Sequence, residues 1–148
     1  MSETHRAERR SERYLPFLLA CAAHHVAGRF HAGLRRHDLN VLSWRVLSTL
    51  SEGRGFTVNE LCEHCLAKQP TVSKVIDRLE QQCWVQRRRD PVDGRRVVVE
   101  ITPAGLRKIG PVLAEAQAYD RSIARGYSAR ELDELRRTLR ELIERHRR

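Results

Sequence analysis

The chain of 148 residues is one domain's worth of sequence, long enough to bury roughly 70% of the surface its unfolded form exposes. Its formal net charge of +9, carried by 25 arginines and only 3 lysines, points to a polyanionic partner. No apolar run approaches the ~20 residues of a membrane span, and the first residues are charged where a secretory leader needs an apolar stretch, so a cytoplasmic protein with no membrane partner is expected.

In chain order, residues 1–13 are polar and without apolar periodicity, which reads as a mobile arm. From Tyr14 to about Arg36, Leu15, Leu18, Leu19, Ala22, Val26, Phe30 and Leu34 recur at helical spacing and predict a long amphipathic helix. Asn40 is an N-cap for the next helix, with Leu42, Val46, Leu47 and Leu50 inward and Gly53-Arg54-Gly55 as its stop.

Thr57-Val58-Asn59-Glu60 has the form of a capping box and opens a short helix with Val58, Leu61, Cys62 and Cys65 inward. A polar connection, Leu66 to Gln69, leads to Pro70, whose fixed φ suits a first helical turn. The helix that follows buries Val72, Val75, Ile76 and Leu79. Its other face carries Gln69, Thr71, Ser73, Lys74, Asp77 and Arg78, short and polar near the N-terminus, as a helix seated in a major groove requires.

Two β-favouring runs, 85–89 and 95–101, flank the turn residues Asp90-Pro91-Val92-Asp93-Gly94 and predict an arginine-rich hairpin. An exposed arginine at its tip suits a minor groove, and Asp93 is positioned to orient the Arg95 guanidinium. Residues 57–102 hold eight basic and seven acidic side chains, so the argument there rests on placement rather than on net charge. Thr102-Pro103 opens a helix to about Arg125 that Gly110-Pro111 is expected to kink or divide, and Gly126 ends it. Ser128 and Glu131 form a second capping box before a last helix with a stripe of Leu132, Leu135, Leu139, Leu142 and Ile143.

Two helices, a tight connection and a basic hairpin make a winged helix-turn-helix, and at this point the sequence resembles the MarR family of bacterial transcription regulators. The matching stretches are Leu39 to Leu47, Pro70 to Glu80, Asp93-Gly94-Arg95 and Ile101 to Gly105, in the family's order and spacing. One departure is Cys83, where the family usually has a glycine at the helix end. The fold expected is mainly α (α+β), with a winged helix-turn-helix over residues 38–102 and a helical dimerisation region over 14–37 and 103–148. The resemblance implies a homodimer that reads an inverted repeat in double-stranded DNA and acts as a repressor. Its expected DNA contacts are Gln69, Thr71, Ser73, Lys74, Arg78, Arg88, Arg95 and Arg96; for Arg87 and Arg89 the strand alternation leaves the question open.

In such regulators a pocket between the first two helices and the DNA-reading region binds a small aromatic acid. Cys21, His24, His25, Arg29, Trp44 and Arg45 are the candidates here, with His24, Arg29 and Trp44 chosen to take a carboxylate and stack on a ring. Cys62-Glu63-His64-Cys65 lacks the second ligand pair a structural zinc site needs, so no metal or cofactor is expected. Against peroxide sensing, the sensing position of that branch falls on Pro16 rather than Cys21. Zinc sensing is set aside because residues 103–126 contain no histidine. The absence of a nucleophile–base set or a phosphate loop argues against an enzyme. Two alternatives stay open: an architectural DNA binder without effector, and a cysteine-based redox regulator.

Overall fold

Residues 13–147 are described by the computed structural model; the arm expected over 1–13 lies, apart from Arg13, outside them. In chain order there are α1 (Leu15–Gly33) with a 3₁₀ turn at Leu34–His37, α2 (Val41–Leu50), α3 (Val58–Cys65), α4 (Gln69–Gln81), strands β1 (Val85–Arg89) and β2 (Val97–Ile101), α5 (Pro103–Ile123) and α6 (Ala129–His146). Packing divides the chain after Leu113 into two units. Among the described residues no helix is long and apolar enough to cross a membrane.

In the first unit the helix starts follow from local chemistry. Asn40 accepts the Ser43 N–H at 2.8 Å, and the Thr57 and Glu60 side chains exchange bonds with each other's backbone N–H. The core forms where the stripes of α2, α3 and α4 meet the hairpin: Val46, Leu47, Leu50, Leu61, Val72, Ile76 and Leu79 are fully buried, joined by Phe56, Val99, Ile109 and Val112. β1 and β2 pair antiparallel from Val85 opposite Ile101 to Arg89 opposite Val97. Phe56 extends this sheet by a single antiparallel bridge to Val99. The second strand starts at Val97 rather than Arg95, because the Arg96 N–H turns back to the Asp93 carbonyl at 2.9 Å.

The end of α4 resolves the question posed by Cys83. The Trp84 N–H bonds to the Leu79 carbonyl and the Cys83 N–H to the Glu80 carbonyl, both at 2.9 Å, which is a Schellman cap. Its left-handed position is Cys83, at φ +59°. The thiol is exposed, so it returns no packing for the strain of a Cβ there. Cys83→Gly is therefore expected to stabilise the protein by about 0.5–1 kcal/mol after the extra chain entropy of glycine is counted, seen as a melting temperature a few degrees higher; an unchanged or lower value would refute the strain argument.

Of the kink or division expected at Gly110-Pro111, the division does not occur: α5 is continuous through Pro111. Proline still removes one helical bond, but Ile109 and Val112 are fully buried on either side of it, and Gly110 has no Cβ to clash with the ring. Tertiary burial outweighs the local break.

On α1, no residue is buried, and Tyr14, Leu15, Phe17, Leu18 and Val26 stay exposed in the single chain. In the second unit the Ser128–Glu131 capping box is present, and α6 leaves Leu135 and Ile143 exposed beside half-buried Leu132, Leu139 and Leu142.

Candidate nucleic-acid interface

Helix α4 presents Gln69, Thr71 and Lys74 to solvent along its first two turns, with Ser73 half-buried beside them. Its N-terminus is preceded by a turn in which exposed Leu66 takes φ +53°, which closes α3 and frees the start of α4. Lys68, the residue before α4 begins, is also exposed. It was not among the sequence candidates, although a cation at the start of the helix suits a phosphate.

Farther along, the polar face is tied to the protein. The Arg78 guanidinium donates to the buried Ser43 hydroxyl at 2.7 Å, linking α4 to α2. Asp77 accepts from Arg87 at 2.6 Å, and Glu80 takes the other arm of the same guanidinium.

The hairpin arginines divide by partner. Arg88 pairs with Glu100 at 3.2 Å on the facing strand. Arg89 reaches the Gly94 carbonyl at 3.4 Å. Arg96 meets Glu60 at 3.4 Å, and Asp90 lies 4.0 Å from it. Arg95 is exposed and makes no ion pair among the described residues. The expected Asp93 contact takes another form: its carboxylate accepts the Arg95 backbone N–H at 3.1 Å and shapes the turn.

The turn carboxylates are held ionised by their neighbours. Asp90 accepts the N–H groups of Val92 and Asp93, which with Arg96 lower its pKa. Glu60 is lowered by the N–H and hydroxyl of Thr57, then by Arg96 and Arg54.

The residues expected to hold a ligand do not gather. His24 and Arg29 are exposed on α1, and the half-buried Trp44 packs edge-on against Phe30 with ring centroids 5.1 Å apart. A cleft of about 520 Å³ does open between α1 and the start of α2, lined by Gly28, His31, Ala32, Arg35, Leu39, Asn40 and Val41. Burial, with help from the Arg45 charge, pushes the His31 pKa down, so the imidazole there is neutral at physiological pH. Cys65 is buried and its thiol is pushed up to about 11 by that burial, with Arg45 opposing and Cys62 adding. Such a thiol packs rather than reacts.

Comparison with known proteins agrees with this architecture. A model of the MarR family matches residues 37–96. The chain is similar to the HTH-type transcriptional repressor IacR of Pseudomonas putida, 37% identical over 76 residues that cover 51% of this chain and 46% of that protein. The chain spans about half the length of the first curated relatives it matches. A probable transcriptional regulator from Pseudomonas aeruginosa superposes with a TM-score of 0.71 at 31% identity, covering 90% of this chain and 100% of that one. NadR, solved in complex with 4-hydroxyphenylacetate, shares the fold with a TM-score of 0.79 at 21% identity over 87% of this chain and 92% of its own. Helix-turn-helix, arginine-bearing wing and these matches lead to one assignment: the chain belongs to the MarR family of winged helix-turn-helix transcription regulators.

Proposed function

We propose that the chain is a DNA-binding transcription regulator, a repressor, which reads an inverted-repeat operator as a homodimer and is released by a small aromatic acid. Regulation rather than catalysis is the business of its family. The observation that carries the reading is an open polar face on α4 together with an exposed arginine at the wing tip: Gln69, Thr71 and Lys74 face solvent, and Arg95 makes no ion pair among the described residues. One element suits base edges in the major groove and the other the negative minor groove beside it. An operator as target assigns the protein's work to the cytoplasm.

Dimerisation is supported by the uncovered apolar side chains of α1 and of α6, in the stretches 14–37 and 103–148. Two-fold pairing would set two reading heads about one DNA turn apart, roughly 34 Å. Sedimentation velocity tests this directly, with a species of twice the chain mass expected at micromolar concentration and a monomer counting against it.

For the effector, the cleft between α1 and α2 supports a carboxylate-bearing ring, with Arg35 as the cation and His31 as a hydrogen-bonding edge. His24, Arg29 and Trp44 give way to these two in that role. Ligand that binds one spacing of the heads better than the other shifts the population off DNA.

The test is fluorescence anisotropy on the protein's own upstream region against a scrambled duplex at about 150 mM salt. Specific binding is expected, weakened about tenfold by Arg95→Ala and reversed by one member of a panel of aromatic carboxylates. Equal affinity for both duplexes would instead favour an architectural protein.

A further inference from the structure

Arg87 sits in the middle of β1 and is held from two sides by carboxylates one turn apart on α4. Its guanidinium donates to Asp77 at 2.6 Å and to Glu80, while its backbone N–H donates to the other Glu80 oxygen at 3.0 Å. Three other hairpin arginines look elsewhere: Arg88 and Arg89 stay within the hairpin, and Arg96 turns to Glu60 on α3. Among the described residues Arg87 is thus the side chain that ion-pairs the wing to the helix whose face is open for DNA.

The geometry has mechanical consequences. From Arg87 the chain runs through two more strand residues and then the turn, so the tip lies on the order of 10 Å beyond the clamp. A tilt of about 10° at the clamp would move the tip by about 2 Å, as much as separates a hydrogen bond from no contact. The clamp also disposes of a charge. Asp77 lies one turn beyond Lys74 on α4 and is exposed, where a bare carboxylate would repel DNA phosphates; Arg87 neutralises it.

We propose that Arg87 is a positioning residue for DNA binding: by forking between Asp77 and Glu80 it fixes the angle between α4 and the wing, so that Arg95 reaches its groove while α4 occupies the neighbouring one, and it does this without touching DNA. The proposal rests on the DNA-reading role given above.

A double-mutant cycle tests it, using a duplex enriched from a random-sequence pool by the wild-type protein. Arg95→Ala should cost about tenfold in affinity in the wild-type background. In the Arg87→Gln background it should cost about twofold or less, because a wing that is no longer aimed has little to lose. The Asp77→Asn/Glu80→Gln double variant, which keeps the arginine and removes its anchors, should shrink the Arg95 penalty to the same extent. Both backgrounds should melt within a few degrees of wild type, since these pairs are half-exposed. If Arg87 instead contacted phosphate directly, Arg87→Gln would weaken binding with the Arg95 penalty intact, and removing the two carboxylates would tighten binding; that pattern overturns the proposal while leaving the DNA reading whole. Failure of the wild-type protein to enrich any duplex would overturn the DNA reading and this proposal with it.

Discussion

Replacing Gly105 by alanine is expected to lower the melting temperature by about 10 °C, the largest single effect of a one-carbon change in this fold. The first turn of α5 lies directly on the chain that joins α4 to β1. The Thr102 hydroxyl donates to the Cys83 carbonyl at 2.6 Å and accepts the Gly105 N–H at 3.0 Å, and the Thr102 N–H donates to the Trp84 carbonyl at 3.0 Å. A Cβ on Gly105 would stand 2.1 Å from that same Trp84 oxygen and 2.8 Å from Ile101 Cγ1. The oxygen belongs to backbone already fixed by its own bond, so no side-chain rotation relieves the clash. Overpacking of this kind costs about 3 kcal/mol, which for a chain of this size corresponds to the expected shift. Gly28→Ala is the control, because nothing lies within 4 Å of the added carbon. Circular dichroism melts of the two variants side by side decide the matter; equal midpoints would mean that α5 can lift off the Trp84 carbonyl at little cost.

Features fixed within a few residues were legible from sequence. Asn40, Thr57 with Glu60, and Ser128 with Glu131 all cap helices as their spacing requires, because a capping bond reaches only three residues. The buried stripe of α4 follows from the same locality. What the sequence withheld depended on partners far along the chain. Nothing near Arg87 marks it as different from Arg88, yet its carboxylates lie 7 and 10 residues back, and the partner of Arg96 lies 36 away. The division expected at Pro111 fails for a related reason, since the buried neighbours on either side of it, Ile109 and Val112, are held by tertiary packing. The lining of the cleft follows helical phase. Gly28, His31, Ala32 and Arg35 share a face of the α1 helix and the turn that continues it, whereas Arg29 falls off that face and Trp44 is engaged with Phe30.

Phe56→Ala is expected to cost about 4 kcal/mol, and the reason joins the stability of the head to its reading geometry. The ring is fully buried, edge-on to His64 with centroids 5.3 Å apart, and capped from outside by the Arg54 guanidinium 4.3 Å from its centroid. Its backbone exchanges both bonds with Val99, at 3.1 and 2.7 Å, so the residue that begins the path into α3 is also a rung of the wing. Alanine keeps the rung but empties the space beneath it, and a cavity lined by core side chains closes only in part. Phe56→Leu fills most of that volume and should cost about 1.5 kcal/mol. Urea denaturation separates the two, with a lower midpoint and an unchanged slope expected for alanine. Below that midpoint the alanine variant should still lose DNA affinity, because β2 would lose the ring packed beneath its Val99 rung while Arg87 continues to hold β1 to α4. Full affinity in the folded alanine variant would show that the strand pairing orients the wing without the ring.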